Sequence, residues 1–131
     1  MIKVIIAGGR DFDDYHRLCK VCDEILKKYS NIEIVSGAYK GADLLGEKYA
    51  AERNYFIKQF PADWRRYGKS AGQKRNTVMA NYADILIAFW DGKSKGTKNM
   101  IDLATQAGLV QGKLTLLHLK LSTNSFHSKL L

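Results

Sequence analysis

Residues 2–12 read IKVIIAGGRDF and residues 32–43 read IEIVSGAYKGAD. Each begins as a short apolar run rich in β-branched residues and breaks at glycine, the form of a strand covered on both faces and followed by a tight turn. With Ile2 to Ala7 and Ile32 to Ser36 as the first two strands, three further runs, Tyr55 to Phe60, Asp84 to Phe89 and Lys113 to Leu119, bring the number to five. Amphipathic helical patterns fill the gaps. The first runs from about Asp13 to Tyr29, with Leu18, Cys22, Ile25, Leu26 and Tyr29 on one face and Asp11 or Asp13 placed to cap it. Others start near Gly41, span about Gly72 to Tyr82, and span about Thr97 to Ala107 with Gly108 as a stop. Strands alternating with helices in this way make βαβ units and a parallel sheet. The expected fold is α/β, a Rossmann-like three-layer arrangement with a mainly parallel sheet of about five strands. One domain covers residues 1–119, and 120–131 is an irregular tail that frays or docks on a partner chain.

The composition fits that fold. The chain has 131 residues, 46% hydrophobic and 26% charged, with Pro61 its single proline, enough for one buried core without disulfides or metals. Cys19 and Cys22 have CxxC spacing inside a helical pattern, without the second Cys or His pair that a tetrahedral zinc site needs, so they read as reduced helix cysteines. His16, His118 and His127 show no ligand spacing, and no metal or cofactor is expected. The sequence has neither a leader pattern nor an apolar run of the ~20 residues that cross a bilayer, so a cytoplasmic protein away from membranes is expected. The formal charge is +8 and unevenly placed: residues 1–66 carry 12 basic and 10 acidic groups, residues 67–131 carry 9 and 3. The second half is the anion-attracting half.

The turns that follow strands in a parallel sheet share one edge, and ligands bind there. This chain places its unusual residues in those turns: Gly8, Gly9 and Arg10 after the first strand, Ser36 to Asp43 after the second, Pro61 to Asn76 after the third, and Trp90 to Thr97 after the fourth. Gly37 and Gly41 precede one helix, while Gly96 and Thr97 open another, where free amides and the helix dipole favour an anion. The segment Trp64 to Ala83 holds Arg65, Arg66, Lys69, Lys74 and Arg75 and no acidic residue, and Lys93, Lys95 and Lys98 surround the fourth turn. Arg75, near the start of its helix, is the cation expected to meet a ligand phosphate. Trp64, Tyr67 and Trp90 are either stacking partners for a base or loop packing. Asp43 and Glu47, at i and i+4, either complement the helix dipole, accept hydrogen bonds from ribose hydroxyls, or carry a proton or an oxocarbenium charge. The chain contains no G-x-x-x-x-G-K-[ST] loop and no G-x-G-x-x-G, which disfavours an ordinary NTPase and a dinucleotide dehydrogenase.

Four ordered segments, IAGGRDF at 6–12, VSGAYKGADLLGEKYA at 35–50, FPADWRRYGKSAGQKRNTVMA at 60–80 and ADILIAFWDGKSKGTKNMI at 83–101, closely resemble the YspA-like, YpsA-related branch of the SLOG superfamily, which joins DNA-processing protein A domains with Lonely-guy nucleotide hydrolases. The resemblance implies a Rossmann-like domain for nucleotides, nucleotide sugars or NAD-derived molecules such as relatives of ADP-ribose. Arg75 and Met79 match the Lonely-guy R-x-x-x-M pattern, and Gly96-Thr97 match the G-T of PGGxGTxxE. The position of that motif's catalytic Glu is Met100, and Asp91-Gly92 replaces its Pro-Gly start. A thioether supplies neither charge nor proton, so the Lonely-guy mechanism as written is not supported.

Three functions follow. The first is a sensing or processing module for a nucleotide-derived small molecule, its pocket lined by Gly8, Gly9, Arg10, Ser36, Gly37, Gly41, Asp43, Arg75, Asn76, Gly96 and Thr97. The second is an N-glycosidase or phosphoribohydrolase in the same pocket, with Asp43 or Glu47 as its catalytic carboxylate. The third, from the DNA-processing relatives and the basic second half, is nucleic-acid binding. A homo-oligomer is expected because Rossmann-like relatives commonly pair.

Overall fold

The computed structural model describes residues 1–111, 115–120 and 128–130, with 109–111 and the last two segments described by backbone alone. Strands β1 (Ile2–Gly8), β2 (Ile32–Ser36), β3 (Phe56–Gln59) and β4 (Ile85–Trp90) form a four-stranded parallel core in the order β3-β2-β1-β4. Beyond β4 the sheet continues with β5 (Thr115–Lys120), parallel, and β6 (Ser128–Leu130), antiparallel to β5.

The two faces of the sheet follow from the alternation of side chains along each strand. Val4 and Ile6 of β1, Ile32 and Ile34 of β2, and Ile85, Ile87 and Phe89 of β4 pack against helices α1 (Tyr15–Leu26) and α2 (Ala42–Glu52) through Leu18, Val21, Cys22, Leu26, Tyr49 and Ala50. The intervening residues Ile5, Ala7, Val35, Leu86 and Ala88 face the other way, onto α4 (Ala71–Tyr82) and α5 (Lys95–Gln111) through Met79, Ala80, Met100, Ile101 and Ala104. Because both faces are covered, the central strands read as unbroken apolar runs rather than as an alternation. The chain is thus a Rossmann-like three-layer α/β fold.

Local chemistry moves several boundaries from those expected. Helix α1 is capped by Asp14, which accepts from the Arg17 amide at 3.1 Å, rather than by Asp11 or Asp13, and it ends at Leu26, short of Tyr29. The loop after β3 contains a one-turn helix, α3 (Trp64–Tyr67), started by Asp63 accepting from the Arg66 amide at 3.1 Å. It ends at Gly68, where φ is +54°, and a 3₁₀ turn (Gly68–Ser70) leads into α4. Helix α5 begins two residues before Thr97 and passes through Gly108 to Gln111. Glycine inside a helix costs about 1 kcal/mol relative to alanine, an amount that burial of Ala104 and Ala107 on the same helix offsets. Within the stretch expected as a tail, Lys120 belongs to β5 and Ser128–Leu130 pairs with it; Lys113, Leu114, residues 121–127 and Leu131 lie outside the described residues. Both cysteines are free and lie in α1, Cys22 buried and Cys19 half-buried.

The strand order reverses between β1 and β4, and there the turns after β1, β2 and β4 meet. Two glycines make the meeting possible. A Cβ on Gly8 would lie 2.6 Å from the Phe89 carbonyl oxygen and 2.7 Å from the Ala42 Cβ. Gly41 has φ +74°, and a Cβ there would overlap the Gly9 carbonyl and sit 2.5 Å from the Arg10 carbonyl carbon. The Ala42 amide closes this contact by donating to Gly9 O at 3.3 Å.

Gly41→Ala therefore destabilises the protein by at least about 2 kcal/mol, combining a strained positive φ with overlap against rigid backbone. Gly9→Ala, where a Cβ meets nothing within 4 Å and φ is not positive, changes stability by under about 1 kcal/mol. Urea denaturation of the two variants checks the contrast.

Candidate functional site

A cleft of about 720 Å³ opens at the carboxyl edge of the sheet, across the point where the strand order reverses. Its walls come from the β1 turn (Gly8 to Phe12), the β2 turn and first turn of α2 (Gly37, Tyr39, Asp43), the α3–α4 region (Trp64, Lys69, Arg75, Asn76) and the start of α5 (Lys93 to Thr97). Five cations, Arg10, Lys69, Arg75, Lys93 and Lys95, line it against three carboxylates, Asp11, Asp43 and Asp91.

The start of α5 is organised by Asp91 and Ser94. Asp91 Oδ1 accepts from the amides of Lys93 and Ser94 at 2.7 and 2.8 Å, and these two bonds hold its carboxyl below the usual carboxylate range. Ser94 Oγ accepts from the Thr97 amide at 3.3 Å and lies 3.0 Å from Thr97 Oγ1, capping the helix. The first α-helical bond runs from the Lys98 amide to Ser94 O, so the amides of Lys95 and Gly96 have no bond among the described residues, as helix starts require. Lys93 and Lys95 flank these amides. Helix dipole, free N–H groups and two lysine residues thus share one wall.

A second part of the wall is held by Arg75. Its Nη1 donates to the Gly37 carbonyl and, at 3.3 Å, to the Phe60 carbonyl, while its Nε donates to Asn76 Oδ1 at 2.8 Å. The turns after β2 and β3 are thereby tied to α4. Gly37 is needed for this reach, since a Cβ there would stand 2.7 Å from both Arg75 Nη1 and Asp43 Oδ2. Burial lowers the Arg75 pKa, but a guanidinium keeps its charge; its Nη2 is unbonded among the described residues. Asn76 is buried and continues the network, donating from Nδ2 to Asn99 Oδ1 at 3.0 Å and to Gly96 O at 3.5 Å, so it couples α4 to the α5 start.

Asp43 is 8% exposed and lies in the first turn of α2. Its Oδ2 accepts from the Tyr39 amide at 3.2 Å, and its other oxygen has no partner among the described residues. Burial pushes its pKa up to about 6, with Glu47 adding to the rise and Arg75 and the Tyr39 amide opposing it. Among the cleft carboxyls, burial thus acts most on Asp43, the one that is buried.

The sequence-expected residues divide. Gly8, Gly9, Arg10, Gly37, Asp43, Arg75, Asn76, Gly96 and Thr97 line the cleft. Ser36, Gly41 and Glu47 do not. Ser36 is buried, donating to Glu47 Oε2 at 2.6 Å and accepting from the Ala38 amide at 3.0 Å. The second Glu47 oxygen accepts from Gln59 Nε2 at 2.9 Å, so Glu47 ties α2 to β2 and β3, and Gly41 is the backbone contact described above. Lys98 pairs with Asp102 at 2.9 Å, and Trp90 donates its indole N–H to Ser94 O at 3.1 Å, so neither is among the lining residues. Tyr67 lies beside Arg66 and Lys74 instead of the cleft. Tyr39 and Asn99 were not singled out from the sequence, although both line the cleft. The signal for Asn99 was its place three residues after Gly96, on the same face of α5. Met100, where the resemblance expects a catalytic Glu, is buried and lines the cleft.

The fold and its edge cleft define a Rossmann-like α/β domain with a polar pocket at the switch point. The chain belongs to the YspA, cpYpsA-related SLOG family, whose model matches residues 2–67. It is 32% identical to the Gene 61 protein of Mycobacterium phage D29, over 83% of this chain and 93% of that protein. Its fold is similar to a solved structure of DNA processing protein A from Helicobacter pylori, described for its single-stranded DNA binding mode, with a TM-score of 0.57 and 21% identity. The match covers 88% of this chain and 64% of that one.

The raised pKa of Asp43 has a consequence for stability. Because the folded state binds this proton more tightly than the unfolded chain, Asp43 costs nothing below its unfolded value of 3.8, and its penalty accumulates as pH rises towards about 6. A shift of this size corresponds to about 3 kcal/mol. Asp43→Asn removes the titration: the variant gains stability relative to wild type as pH is raised from 4 to 7, as followed by urea denaturation at each pH.

Proposed function

We propose that this chain binds a nucleotide-derived phosphate ligand of the ADP-ribose kind in the edge cleft, acting as a sensing or processing module. The observation that carries the reading is the juxtaposition, in one cleft, of an anion-ready helix start and a buried carboxyl with an unengaged oxygen. Phosphate sits on the Lys95 and Gly96 amides with Lys93 and Lys95 around it, and Gly9, open on its Cβ side, lets the ligand approach the β1 backbone. Asp43 accepts from ribose hydroxyls, and the unbonded Arg75 Nη2 donates to a phosphate oxygen. A cytoplasmic location and self-association belong to the same reading. The edge strand β3, whose four residues are all exposed and include Phe56 and Ile57, is the surface on which a second copy would pair.

A second reading, N-glycosidase or phosphoribohydrolase activity, is favoured by the Asp43 carboxyl, whose pKa near 6 suits proton transfer at neutral pH. Glu47 carries no part of it, being bonded on both oxygens away from the cleft. A third, nucleic-acid binding, draws on the solved relative that binds single-stranded DNA.

A proton NMR time course with AMP, NAD and ADP-ribose separates the three. Under the binding reading, ligand lines broaden with wild type, Arg75→Ala weakens binding about tenfold or more, and no free base appears. Accumulating adenine or nicotinamide establishes the hydrolase. Silence towards all three ligands, together with oligonucleotide binding that collapses steeply with salt, assigns the site to nucleic acid.

A further inference from the structure

The phosphate and ribose positions leave the mouth of the cleft unassigned, and two aromatic side chains stand there. Trp64, on α3, is 50% exposed and Tyr39, in the β2 turn, is 40% exposed; both line the cleft. Large aromatic surface left in water forgoes the stabilisation of burial. The segments that carry them are nevertheless held in place. The Tyr39 amide is fixed to Asp43 Oδ2 at 3.2 Å. Trp64 follows the Asp63 cap and lies over Gly72 of α4, where a Cβ would come within 3.3 Å of the indole edge. The ring centroids are 6.4 Å apart and tilted by 51°, so the pair does not sandwich a flat group between parallel faces. It forms a corner, with one face for stacking and one edge beside it.

We infer that the Tyr39–Trp64 corner is the base subsite of the cleft and takes a purine stacked on the Trp64 indole. The inference rests on the binding reading above and fixes the ligand's direction. Phosphate lies at the start of α5 and ribose at Asp43. The base lies at the Tyr39–Trp64 mouth, because Tyr39 is bonded through its backbone to the carboxyl that holds the ribose. The bicyclic purine matches the indole in area, and stacking of this kind tolerates different exocyclic groups. Gln73, exposed on the same wall and one residue from Gly72, offers an amide to the edge of the base.

The test compares AMP with ribose 5-phosphate by isothermal titration calorimetry on wild type, Trp64→Ala, Trp64→Phe and Tyr39→Ala, with thermal melts to confirm folding. Trp64→Ala weakens AMP about tenfold or more and leaves ribose 5-phosphate within about twofold, Trp64→Phe recovers much of the loss, and Tyr39→Ala acts in the same direction as Trp64→Ala. Equal weakening of both ligands by Trp64→Ala, or no weakening of AMP, overturns the base subsite while the binding reading stands. Failure of wild type to bind AMP, ribose 5-phosphate or ADP-ribose titrated alongside them sinks the binding reading itself and the subsite with it. If Trp64→Ala instead abolishes binding of an oligonucleotide while AMP binding is unaffected, the corner serves single-stranded nucleic acid and the assignment is wrong.

Discussion

Backbone must touch backbone where the turns after β1, β2 and β4 converge, and nearly everything at the cleft depends on that contact. Gly8 lies against the Phe89 carbonyl and the Ala42 side chain, and Gly41 lies against the carbonyls of Gly9 and Arg10. A side chain at either position would push the turns apart. With them in place, α2 starts close behind β1 and brings Asp43 to the cleft wall, while Gly9 stays open on the inside. The absence of Cβ atoms therefore sets the distance between the carboxyl on one wall and the free amides on the other. Arg75 adds the second tie, crossing from α4 to the carbonyls of Gly37 and Phe60.

The electrostatics of the cleft follow from these ties. Asp43 is buried and has no ion pair within 4 Å among the described residues, so its charge is costly and its pKa is pushed up to about 6. Arg75 reduces that cost from a distance but is itself bonded to carbonyls. Among the described residues, the Asp43 carboxyl keeps one oxygen and the Arg75 guanidinium one nitrogen without a hydrogen-bond partner. Hydroxyls and anionic oxygens have the chemistry complementary to such groups, which is the basis for proposing a phosphorylated ligand over an apolar one.

Much of this arrangement was legible in the sequence, for a physical reason. Strands covered on both faces must be apolar throughout, so IKVIIAG and ILIAFW announce themselves, and the turn glycines mark the edge where a cleft forms. What was not legible depended on hydrogen bonds across the fold. Glu47 and Asp43 lie four residues apart on one helix, yet one is consumed by Ser36 and Gln59 and the other faces the cleft. The same spacing argument made both look alike. Gly41 resembled a phosphate-loop glycine but serves the Gly9–Arg10 contact. The one-turn helix at Trp64 was too short for any periodic signal, and it is this turn that brings an aromatic to the cleft mouth. The catalytic Glu of the Lonely-guy motif is replaced by Met100, a departure visible in the sequence whose place in the cleft wall only the fold supplies.

The most direct test of the account is an amide nitrogen–proton NMR titration of the whole chain with ADP-ribose. If the cleft is the binding site, shifts concentrate on the amides of Gly9, Gly37, Tyr39, Lys95, Gly96 and Thr97, with little change on the outer surfaces of α1 and β3. No saturable shifts, or shifts centred away from the turns after β1, β2 and β4, would contradict it.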